Sequence, residues 1–380
     1  MKRLKILHIQ VLPKLSGVQK VSLEVLKSLS SNQYDKYILF SDALDCGDKA
    51  ECFKAFEACG VKVLTSRHLH RSIGPKDLPA LIEIYRLCRR ERFDIVHTNS
   101  TKPGIIGRIA AYMARVPLVV HTVHGLSFHQ FVPFPRWQFY WACEMFASMF
   151  CDRITIVNQF YTKYFRWFRR KTCTIYNGID FGHLPAISAP QGGTKGDTLN
   201  VLFVGRLDQP KNPMMLLKVA KQVLTTKPHV HFWLVGDGEF MDQCRQYVHD
   251  NRLAANVHLE GWRTDVTHYY AQADIFAATS LYEAFGIMFL EAGFYNLPVC
   301  ATNVEGIPEV VANGETGLLS SPDDVNSFAA NLLRLIEDGE LRHTLGHRGH
   351  ERVVSRFNSE QMVSSYEAIY REGLGLSAER

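Results

Sequence analysis

The amino-acid sequence predicts an α/β protein with two doubly wound domains, in which each parallel sheet is covered by helices on both faces. Three observations support this fold class. The chain has 380 residues, more than the roughly 250–300 that one hydrophobic core usually organises. Short β-branched or apolar runs alternate with segments of helical periodicity. Residues 183–199 (HLPAISAPQGGTKGDTL) are rich in Pro, Gly, Ser and Thr without periodicity, which is typical of a linker.

The strand candidates are short β-branched or apolar runs that fall between helical segments. The first half of the chain has seven and the second half five, at residues 4–11, 37–40, 61–64, 95–98, 118–122, 153–157, 174–176, 200–204, 230–235, 257–259, 274–277 and 298–301. Apolar residues between them recur at helical spacing, as Val18, Val21 and Val25 do, and residues 214–225 and 240–250 fit helices in the second half.

These patterns divide the chain into segments. We expect an N-terminal domain over residues 1–185, a linker over 186–199 and a C-terminal domain over 200–356. Residues 357–380 are regular and charged, and we expect them to form a helix that packs back on the N-terminal domain. The active site is expected in the cleft between the domains, since ligands of α/β folds bind beyond the carboxyl ends of the strands.

Composition narrows the function classes. Apolar residues make up 46% of the chain and charged residues 21%, as in ordinary folded soluble proteins. The net charge of +5 is too small for the basic surface of a nucleic-acid binder, so no nucleic-acid partner is expected. It suits a protein that meets anionic small molecules or an anionic membrane face.

The cysteines and the first residues indicate a cytoplasmic protein. The nine cysteines form no CxxC pair, which favours reduced thiols over a zinc site or a disulfide framework. The N-terminal apolar run is broken by His8, Gln10 and Pro13, so a buried first strand explains it better than a signal peptide. No uncharged apolar run reaches the ~20 residues that span a bilayer, and we expect no integral membrane protein.

Gly17 follows the first predicted strand and precedes a helix. A glycine at that position lets the backbone approach a phosphate, and the helix N-terminus favours negative charge. A simple tight turn is the alternative interpretation. The sequence contains no GxGxxG and no clear acidic residue at the end of a second strand, which disfavours a nicotinamide-type dinucleotide site.

The loop VGRLDQPKN directly follows a strand of the second domain and contains Arg206 and Lys211. This loop is expected at the carboxyl end of the sheet, where α/β folds bind ligands. Two cations there could hold a diphosphate, with arginine as a planar fork and lysine as a point charge. For either residue alone, a solvated loop charge is the alternative.

The segment SLYEAFGIMFLE places Glu283 and Glu291 eight residues apart, with a predicted helix start and Gly286 between them. Eight helical positions span at most ~12 Å, comparable to the distance from the hexose to the ribose of a nucleotide sugar. One carboxylate could therefore bind sugar hydroxyls and the other the ribose, while backbone N–H groups face the diphosphate. The alternative, a solvated pair on a helix face, fits poorly with the apolar residues around it.

The segment HTVHG ends a strand of the first domain, and a third histidine follows at His129. No carboxylate or thiol completes a metal site there, so none is expected. His124 is the better candidate for a polar group in the cleft that contacts substrate and stabilises developing charge. His121 is expected to be a hydrogen-bonded core histidine.

Two segments, residues 131–150 and 160–171, combine aromatic and basic side chains. Surface helices with this composition lie at anionic membrane interfaces. Equally, the aromatic side chains could belong to helices that pack under the sheet of the first domain. Both interpretations remain open at this point.

Together these motifs resemble the retaining glycosyltransferases of family 4, which have the GT-B fold of two Rossmann-like domains facing across a cleft. The similarity extends over nearly the whole chain. It is carried by Gly17 (after Ser16, where many relatives have a second glycine), HTVHG, residues 176–180 (YNGID), VGRL with Lys211, residues 235–238 (VGDG), Glu283 with Glu291, and residues 298–302 (PVCAT) with 306–309 (GIPE).

The resemblance implies a role for each matching residue. Arg206 and Lys211 would bind the donor diphosphate with help from Gly17. Glu291 would hold the ribose, and the backbone of Phe285, Gly286 and Ile287 would lie along the donor. Two catalytic residues are implied, His124 near the reacting carbon and Glu283 on the transferred sugar. The family needs no metal and no cofactor, and the donor would be a UDP-sugar, with a GDP-sugar as the alternative.

The segment KPGIIGRIAA, residues 102–111, resembles the branch of this family that assembles bacterial polysaccharides (O-antigen, capsule or exopolysaccharide). This implies transfer of a hexose or N-acetylhexosamine to a glycan on a polyprenyl diphosphate, by a peripheral protein at the inner face of the cell membrane. The competing hypotheses are a nucleotide-sugar epimerase on the same fold and a non-catalytic nucleotide- or glycan-binding protein.

Overall fold

The computed structural model describes residues 3–43, 49–70, 74–185 and 198–376. The chain forms two compact units, one of Met1–Ile179 with Ser359–Arg380 and one of Asp180–Asn358; we call them the N-terminal unit and the C-terminal unit. The sequence predicts the end of the N-terminal domain at residue 185 and the start of the last segment at residue 357. The expected linker over 186–199 lies outside the described residues, apart from its last two.

The N-terminal unit is built on a seven-stranded parallel sheet. Its strands are β1 (Leu4–Ile9), β2 (Tyr34–Ser41), β3 (Lys62–Ser66), β4 (Ile95–Asn99), β5 (Leu118–Val123), β6 (Arg153–Ile156) and β7 (Thr172–Thr174). In the part of this unit that ends at Ile179, the helices are α1 (Gly17–Ser28), α2 (Lys49–Ala58), α3 (Asp77–Glu91), α4 (Thr101–Met113) and α5 (Phe134–Ser148). The strand order is β3-β2-β1-β4-β5-β6-β7, so the order reverses between β1 and β4.

The C-terminal unit repeats this architecture with six parallel strands. They are β8 (Leu199–Val204), β9 (Val230–Val235), β10 (Val257–Gly261), β11 (Ile275–Ala278), β12 (Val299–Thr302) and β13 (Gly317–Ser320). Its helices are α6 (Pro213–Leu224), α7 (Met241–Asp250), α8 (Thr267–Gln272), α9 (Ile287–Phe294), α10 (Ile307–Val310), α11 (Val325–Glu337) and α12 (Gly339–Arg356). The strand order is β10-β9-β8-β11-β12-β13, and the reversal falls between β8 and β11.

The central strands form where the sequence predicts them because they are buried on both faces. Strands β4, β5, β11 and β12 contain buried residues only, and such strands appear in a sequence as continuous apolar runs. In the C-terminal unit, Phe203 and Phe232 of the sheet pack with helix residues such as Phe328 in one continuous core. The predicted fold class of two doubly wound domains is confirmed.

Two predicted elements differ from the structure, and one strand was not predicted. The strand expected at 174–176 is β7, at Thr172–Thr174. Strand β13 was missed, since GLLS has no β-branched residue and begins with glycine. Residues 160–171 do not form a regular surface helix but two 3₁₀ segments, Gln159–Tyr164 and Arg166–Lys171. Phe165, buried and non-helical with φ −106°, separates them.

The last helix, α13 (Ser359–Gly373), belongs to the N-terminal unit. The hydroxyl of Tyr370 lies 2.6 Å from Nδ1 of His97, and that of Tyr366 lies 3.2 Å from Oγ1 of Thr122. All four side chains are buried, and burial raises the pKa of Tyr366 to about 12. These hydrogen bonds fasten α13 to β4 and β5. In the described part of the chain, no helix is both long and apolar enough to cross a membrane.

A buried ion pair joins α4 to α5. Arg108, with no exposed surface, donates from Nη2 to Oε1 of Glu144 over 2.8 Å and from Nε to the carbonyl of Gly104 over 2.8 Å. Its Nη1 lies 3.3 Å from the hydroxyl of Ser148. Because both charges are removed from water, each depends on the other for compensation.

We expect Arg108→Met to lower the free energy of unfolding by about 3–5 kcal/mol, since the buried Glu144 charge then loses its cation. The double variant Arg108→Met/Glu144→Leu should recover most of this loss, because no charge is left uncompensated. Urea unfolding of the three proteins measures the difference.

The matched control is Glu372→Gln, which breaks the exposed pair of Arg153 and Glu372 and should cost less than about 1 kcal/mol. A loss in Arg108→Met no larger than in this control would contradict a structural role for the buried pair.

Candidate functional site

The loop between β8 and α6 carries Arg206 and Lys211. It follows a strand at the point where the strand order reverses, which is where open α/β sheets bind ligands. Arg206 is exposed, whereas the Lys211 side chain is 15% exposed. Asn212, in the left-handed region at φ 48°, ends the loop, and Pro213 begins α6.

A second loop holds this backbone in place. The N–H of Leu207 donates to the carbonyl of Asp237 over 3.0 Å, and the N–H of Phe240 donates to the carbonyl of Leu207 over 2.8 Å. Gly236 has φ +142°, and a Cβ there would lie 1.9 Å from the carbonyl oxygen of Gly205. The VGDG segment therefore acts as a support for the loop that presents Arg206.

The loop between β11 and α9 carries Glu283 and leads to Glu291. Gly286, at φ +80°, precedes the first residue of α9, and Glu291 is the fifth residue of this helix. The sequence prediction of a helix start between the two carboxylates is confirmed. The positive end of the helix dipole lies at this start.

Hydrogen bonds tie the two loops together. The N–H of Leu281 donates to the carbonyl of Pro210 over 2.8 Å, and the Thr279 hydroxyl donates to the carbonyl of Asn212 over 2.9 Å. Since β8 and β11 are neighbours in the sheet, the two loops leave it side by side at its carboxyl edge.

The two cations of the loop between β8 and α6 are paired with carboxylates. Nζ of Lys211 donates to Oε2 of Glu283, whose side chain is also 15% exposed. Nη2 of Arg206 lies 2.9 Å from Oδ2 of the largely buried Asp208. Burial raises the pKa of Asp208, while Arg206 opposes this rise. An anion that binds here competes with carboxylates for both cations.

Glu291 is held by a residue that the sequence did not point to. The hydroxyl of Tyr270, in α8, donates to Oε2 of Glu291 over 2.8 Å. Asp208 was also missed, although its place in VGRLD, two residues after Arg206, is a signal that could have found it. Tyr270 lies 21 residues from Glu291 in no recognisable motif, so no local pattern could have found it.

Phe285 takes part in the core rather than in a ligand surface. Its side chain is 2% exposed and packs edge-on against Phe357, with ring centroids 5.5 Å apart. Only its backbone could serve a ligand. Ile287 is the first residue of α9, so its backbone belongs to the first turn of that helix.

Gly17 lies in the N-terminal unit, as the exposed first residue of α1. It follows β1, one of the two strands at the reversal of strand order. The Ser16 hydroxyl donates to Oε1 of Gln19 and makes no capping bond to the backbone of the first turn. The first-turn N–H groups therefore receive no bond from this side chain.

His124 also lies in the N-terminal unit, directly after β5. Its Nε2 is 2.9 Å from Oδ1 of Asn99, the last residue of β4. Burial lowers the pKa of His124 to about 3, so the imidazole is neutral at pH 7. As Oδ1 accepts, Nε2 carries the hydrogen in this assignment, and Nδ1 keeps its lone pair.

His121, the first histidine of HTVHG, lies in the core of the N-terminal unit. His121 is buried, and its Nδ1 lies 2.9 Å from the hydroxyl of Thr98. It is the hydrogen-bonded core histidine that the sequence suggested. No group of three or more His, Cys, Asp or Glu residues arranged to hold a metal ion occurs among the residues that the structure describes.

Two sets of residues result. One set lies in the C-terminal unit and combines two cations, a helix start and two carboxylates at the carboxyl edge of the sheet. Its members are Arg206, Lys211, Glu283, Phe285, Gly286, Ile287 and Glu291. The other set, in the N-terminal unit, comprises Gly17 and His124. The first set suits an anion with attached hydroxyl groups, because cations bind the charge and carboxylates accept from hydroxyls.

Comparison with known families gives two matches that together span most of the chain. The profile described as Glycosyltransferase Family 4 matches residues 15–183. The profile described as Glycosyl transferases group 1 matches residues 187–352, which includes all of the candidate residues of the C-terminal unit.

Individual relatives are similar over most of the chain. The UDP-Gal:alpha-D-GlcNAc-diphosphoundecaprenol alpha-1,3-galactosyltransferase of Escherichia coli is 32% identical over 97% of this chain and 97% of its own length. The capsular polysaccharide biosynthesis glycosyltransferase CapM of Staphylococcus aureus is 27% identical over 79% of this chain and 83% of its own. Among solved structures, Anabaena Alr3699/HepE in complex with UDP and glucose has a similar fold, with a TM-score of 0.81, 21% identity and coverage of 96% of this chain and 99% of that one.

The position of Gly286 gives a test of how the site is built. A Cβ at residue 286 would lie 2.6 Å from the Phe289 ring and 3.3 Å from Cγ of Glu283. We expect Gly286→Ala to lower the free energy of unfolding by about 1–3 kcal/mol beyond the backbone cost, because the Phe289 ring and Glu283 must shift.

Gly314→Ala is the matched control, since Gly314 has a similar φ of +77° and no atom within 4 Å of the added Cβ. Both variants have the same unfavourable backbone conformation, so the difference between their urea midpoints measures the crowding alone. Equal losses would show that the contacts around residue 286 do not constrain the loop.

Proposed function

Since the chain belongs to glycosyltransferase family 4 and has its GT-B fold, we propose that it transfers a hexose or N-acetylhexosamine from a UDP-sugar to a lipid-linked glycan. The acceptor would be carried on polyprenyl diphosphate, in bacterial surface polysaccharide biosynthesis. The E. coli relative supports this proposal, because its name gives a UDP-Gal donor and a diphosphoundecaprenol-linked acceptor, and the similarity covers 97% of both chains. A GDP-sugar is the alternative donor.

The observation that carries the proposal is the pairing of Lys211 with Glu283 at the carboxyl edge of the C-terminal sheet. A diphosphate that binds Lys211 and Arg206 takes Lys211 away from Glu283. Glu283 is then available to accept hydrogen bonds from the sugar attached to that diphosphate. Each charge thus keeps a partner in both states, which part-buried charges require.

The remaining donor contacts follow from the same geometry. Glu291 would accept from the ribose hydroxyls, and the backbone N–H groups of residues 285–287, which lead into α9, would lie along the diphosphate. From the N-terminal unit, His124 would contact the transferred sugar and Gly17 would bind phosphate through its backbone. These two roles rest on the family resemblance.

We propose transfer with retention of configuration and without a metal. The acceptor hydroxyl oxygen bonds to the anomeric carbon on the face from which UDP departs, and its proton passes to the departing phosphate oxygen as the bond from carbon to that oxygen breaks. Arg206 and Lys211 stabilise the negative charge that develops on the leaving diphosphate. No protein nucleophile takes part in this scheme.

Purified protein with UDP-galactose and GlcNAc-diphosphoundecaprenol tests the proposal. We expect UDP release that requires the acceptor, an α-linked disaccharide by NMR, and no loss with a chelator. Glu283→Gln should reduce transfer about 10- to 100-fold, since the sugar loses a charge-assisted hydrogen bond. The same variant should bind UDP at least as tightly as the wild type. In this variant Lys211 has no ion pair with residue 283 that must break before it can bind the diphosphate.

Glu315→Gln, an exposed residue of the same unit, is the matched control and should leave transfer unchanged. Conversion of the nucleotide sugar without any acceptor would instead support an epimerase. Full transfer by Glu283→Gln would contradict the assigned site, and UDP binding without transfer to any acceptor in a panel would support a binding protein.

We further propose that the N-terminal unit meets an anionic membrane surface at the inner face of the cell membrane. Aromatic side chains stand exposed on and near α5, notably Phe134 at 70% and Trp167 at 75%. Arg166, Arg169 and Arg170 beside Trp167 are exposed as well. Exposed aromatic and basic side chains together favour binding at a lipid interface.

The double variant Phe134→Ser/Trp167→Ser should reduce cosedimentation with phosphatidylglycerol vesicles about tenfold, because two large apolar contacts with the interface are lost. Trp262→Ser removes an exposed tryptophan of the C-terminal unit and serves as the control. Absence of lipid-dependent binding by the wild type, or an equal loss in the control, would contradict this surface.

A further inference from the structure

Two tyrosines of the C-terminal unit stack against each other next to Glu291. Tyr270 belongs to α8, and Tyr295 directly follows α9. Their ring centroids are 5.7 Å apart with an interplanar angle of 5°. Both side chains are buried, at 1% and 7% exposure. The ring contacts explain the aromatic character of both positions, but they do not explain the two hydroxyl groups.

The Tyr270 hydroxyl has a defined partner. It donates to Oε2 of Glu291 over 2.8 Å, and burial together with the Glu291 charge raises the pKa of Tyr270 well above its usual value. The hydroxyl therefore stays protonated and remains a donor at neutral pH. This bond fixes one carboxylate oxygen of Glu291 and with it the plane of the carboxylate.

The Tyr295 hydroxyl is buried and makes no hydrogen bond with any described residue. A buried hydroxyl without a partner costs free energy, and a phenylalanine at this position would fill the same space. Its pKa is raised by burial, and further by the negative charges of Asp265 and Glu291. A buried hydroxyl that stays neutral and has no partner among the described residues suits the recognition of a polar group of a ligand.

Asp265 is itself held in place. The N–H of Thr267 donates to its Oδ1 over 2.9 Å, and the hydroxyl of Thr267 also bonds this oxygen. It lies between β10 and α8, a connection that also leaves the carboxyl edge of the sheet. The Asp265 carboxylate thus comes from the loop before α8, whereas Glu291 and Tyr295 lie one helical turn apart, in α9 and directly after it.

We propose that Tyr270 and Tyr295 are part of the site that recognises the nucleoside of the donor. Tyr270 is a positioning residue that fixes the Glu291 carboxylate for the ribose hydroxyls. Tyr295 is a binding residue, whose hydroxyl forms a hydrogen bond with the nucleoside. This inference rests on the proposed function, in which Glu291 binds the ribose.

Calorimetric binding of UDP and of 2′-deoxy-UDP to the full chain tests both roles. We expect the wild type to prefer UDP. Tyr270→Phe should reduce this preference about tenfold, because the carboxylate is no longer held in one plane. Tyr295→Phe should weaken UDP binding about five- to tenfold, with a melting temperature equal to or above that of the wild type, since an unpartnered buried hydroxyl is removed.

Tyr269→Phe is the matched control. Tyr269 is the neighbouring residue in α8, and its hydroxyl also donates to a carboxylate, Oε2 of Glu260, over 2.6 Å. This variant should change neither the affinity for UDP nor the preference. A purely structural role for Tyr270 and Tyr295 predicts losses of melting temperature with unchanged binding, and that result would overturn the inference.

The variant Glu291→Gln distinguishes a failure of the inference about the tyrosines from a failure of the proposed ribose site. If it abolishes the preference for UDP while Tyr270→Phe and Tyr295→Phe leave binding intact, the inference about the tyrosines is wrong and the ribose site stands. If the wild type binds both nucleotides equally and Glu291→Gln changes nothing, the ribose site itself is wrong and the inference falls with it.

Discussion

The arrangement of the C-terminal unit depends on the contact between two loops, with the ion pair of Lys211 and Glu283 at its centre. The loops belong to neighbouring strands on either side of the reversal in strand order. Backbone hydrogen bonds from Leu281 and side-chain bonds from Thr279 set their spacing. The left-handed Gly286 then directs the chain into α9, so Glu283 and Glu291 end up on opposite sides of a helix start.

Two ion pairs of the protein differ in how far their side chains are buried. Arg108 and Glu144 are almost completely removed from solvent and make further bonds within the N-terminal unit. A ligand cannot replace either partner without unfolding the helices around them. Lys211 and Glu283 keep partial exposure, so an incoming anion can exchange with the carboxylate. The same attraction between opposite charges therefore stabilises the helices around Arg108 and Glu144 and, in the C-terminal unit, joins two side chains of the proposed donor site.

Much of this fold can be predicted from the sequence, because strands that are buried on both faces appear as apolar runs. The prediction for β9 matches residue for residue, and most other strands differ by three residues or fewer. The short β13 lacks such a run, and Phe165 interrupts the segment expected to be a helix. In the site, loops after strands locate Arg206, Lys211, Glu283 and Glu291. Tyr270 contacts Glu291 and Tyr295, which lie 21 or more residues away in the sequence, and periodicity does not encode such contacts.

The position of α13 has a consequence for the order in which the protein folds during synthesis. The chain leaves the N-terminal unit after Ile179 and returns to it at Ser359. His97 and Thr122, both buried, receive their bonds from Tyr370 and Tyr366 only when the last helix has left the ribosome. The C-terminal unit can be complete earlier, because its sequence is continuous. The part of the chain that is made first is therefore the part that finishes folding last.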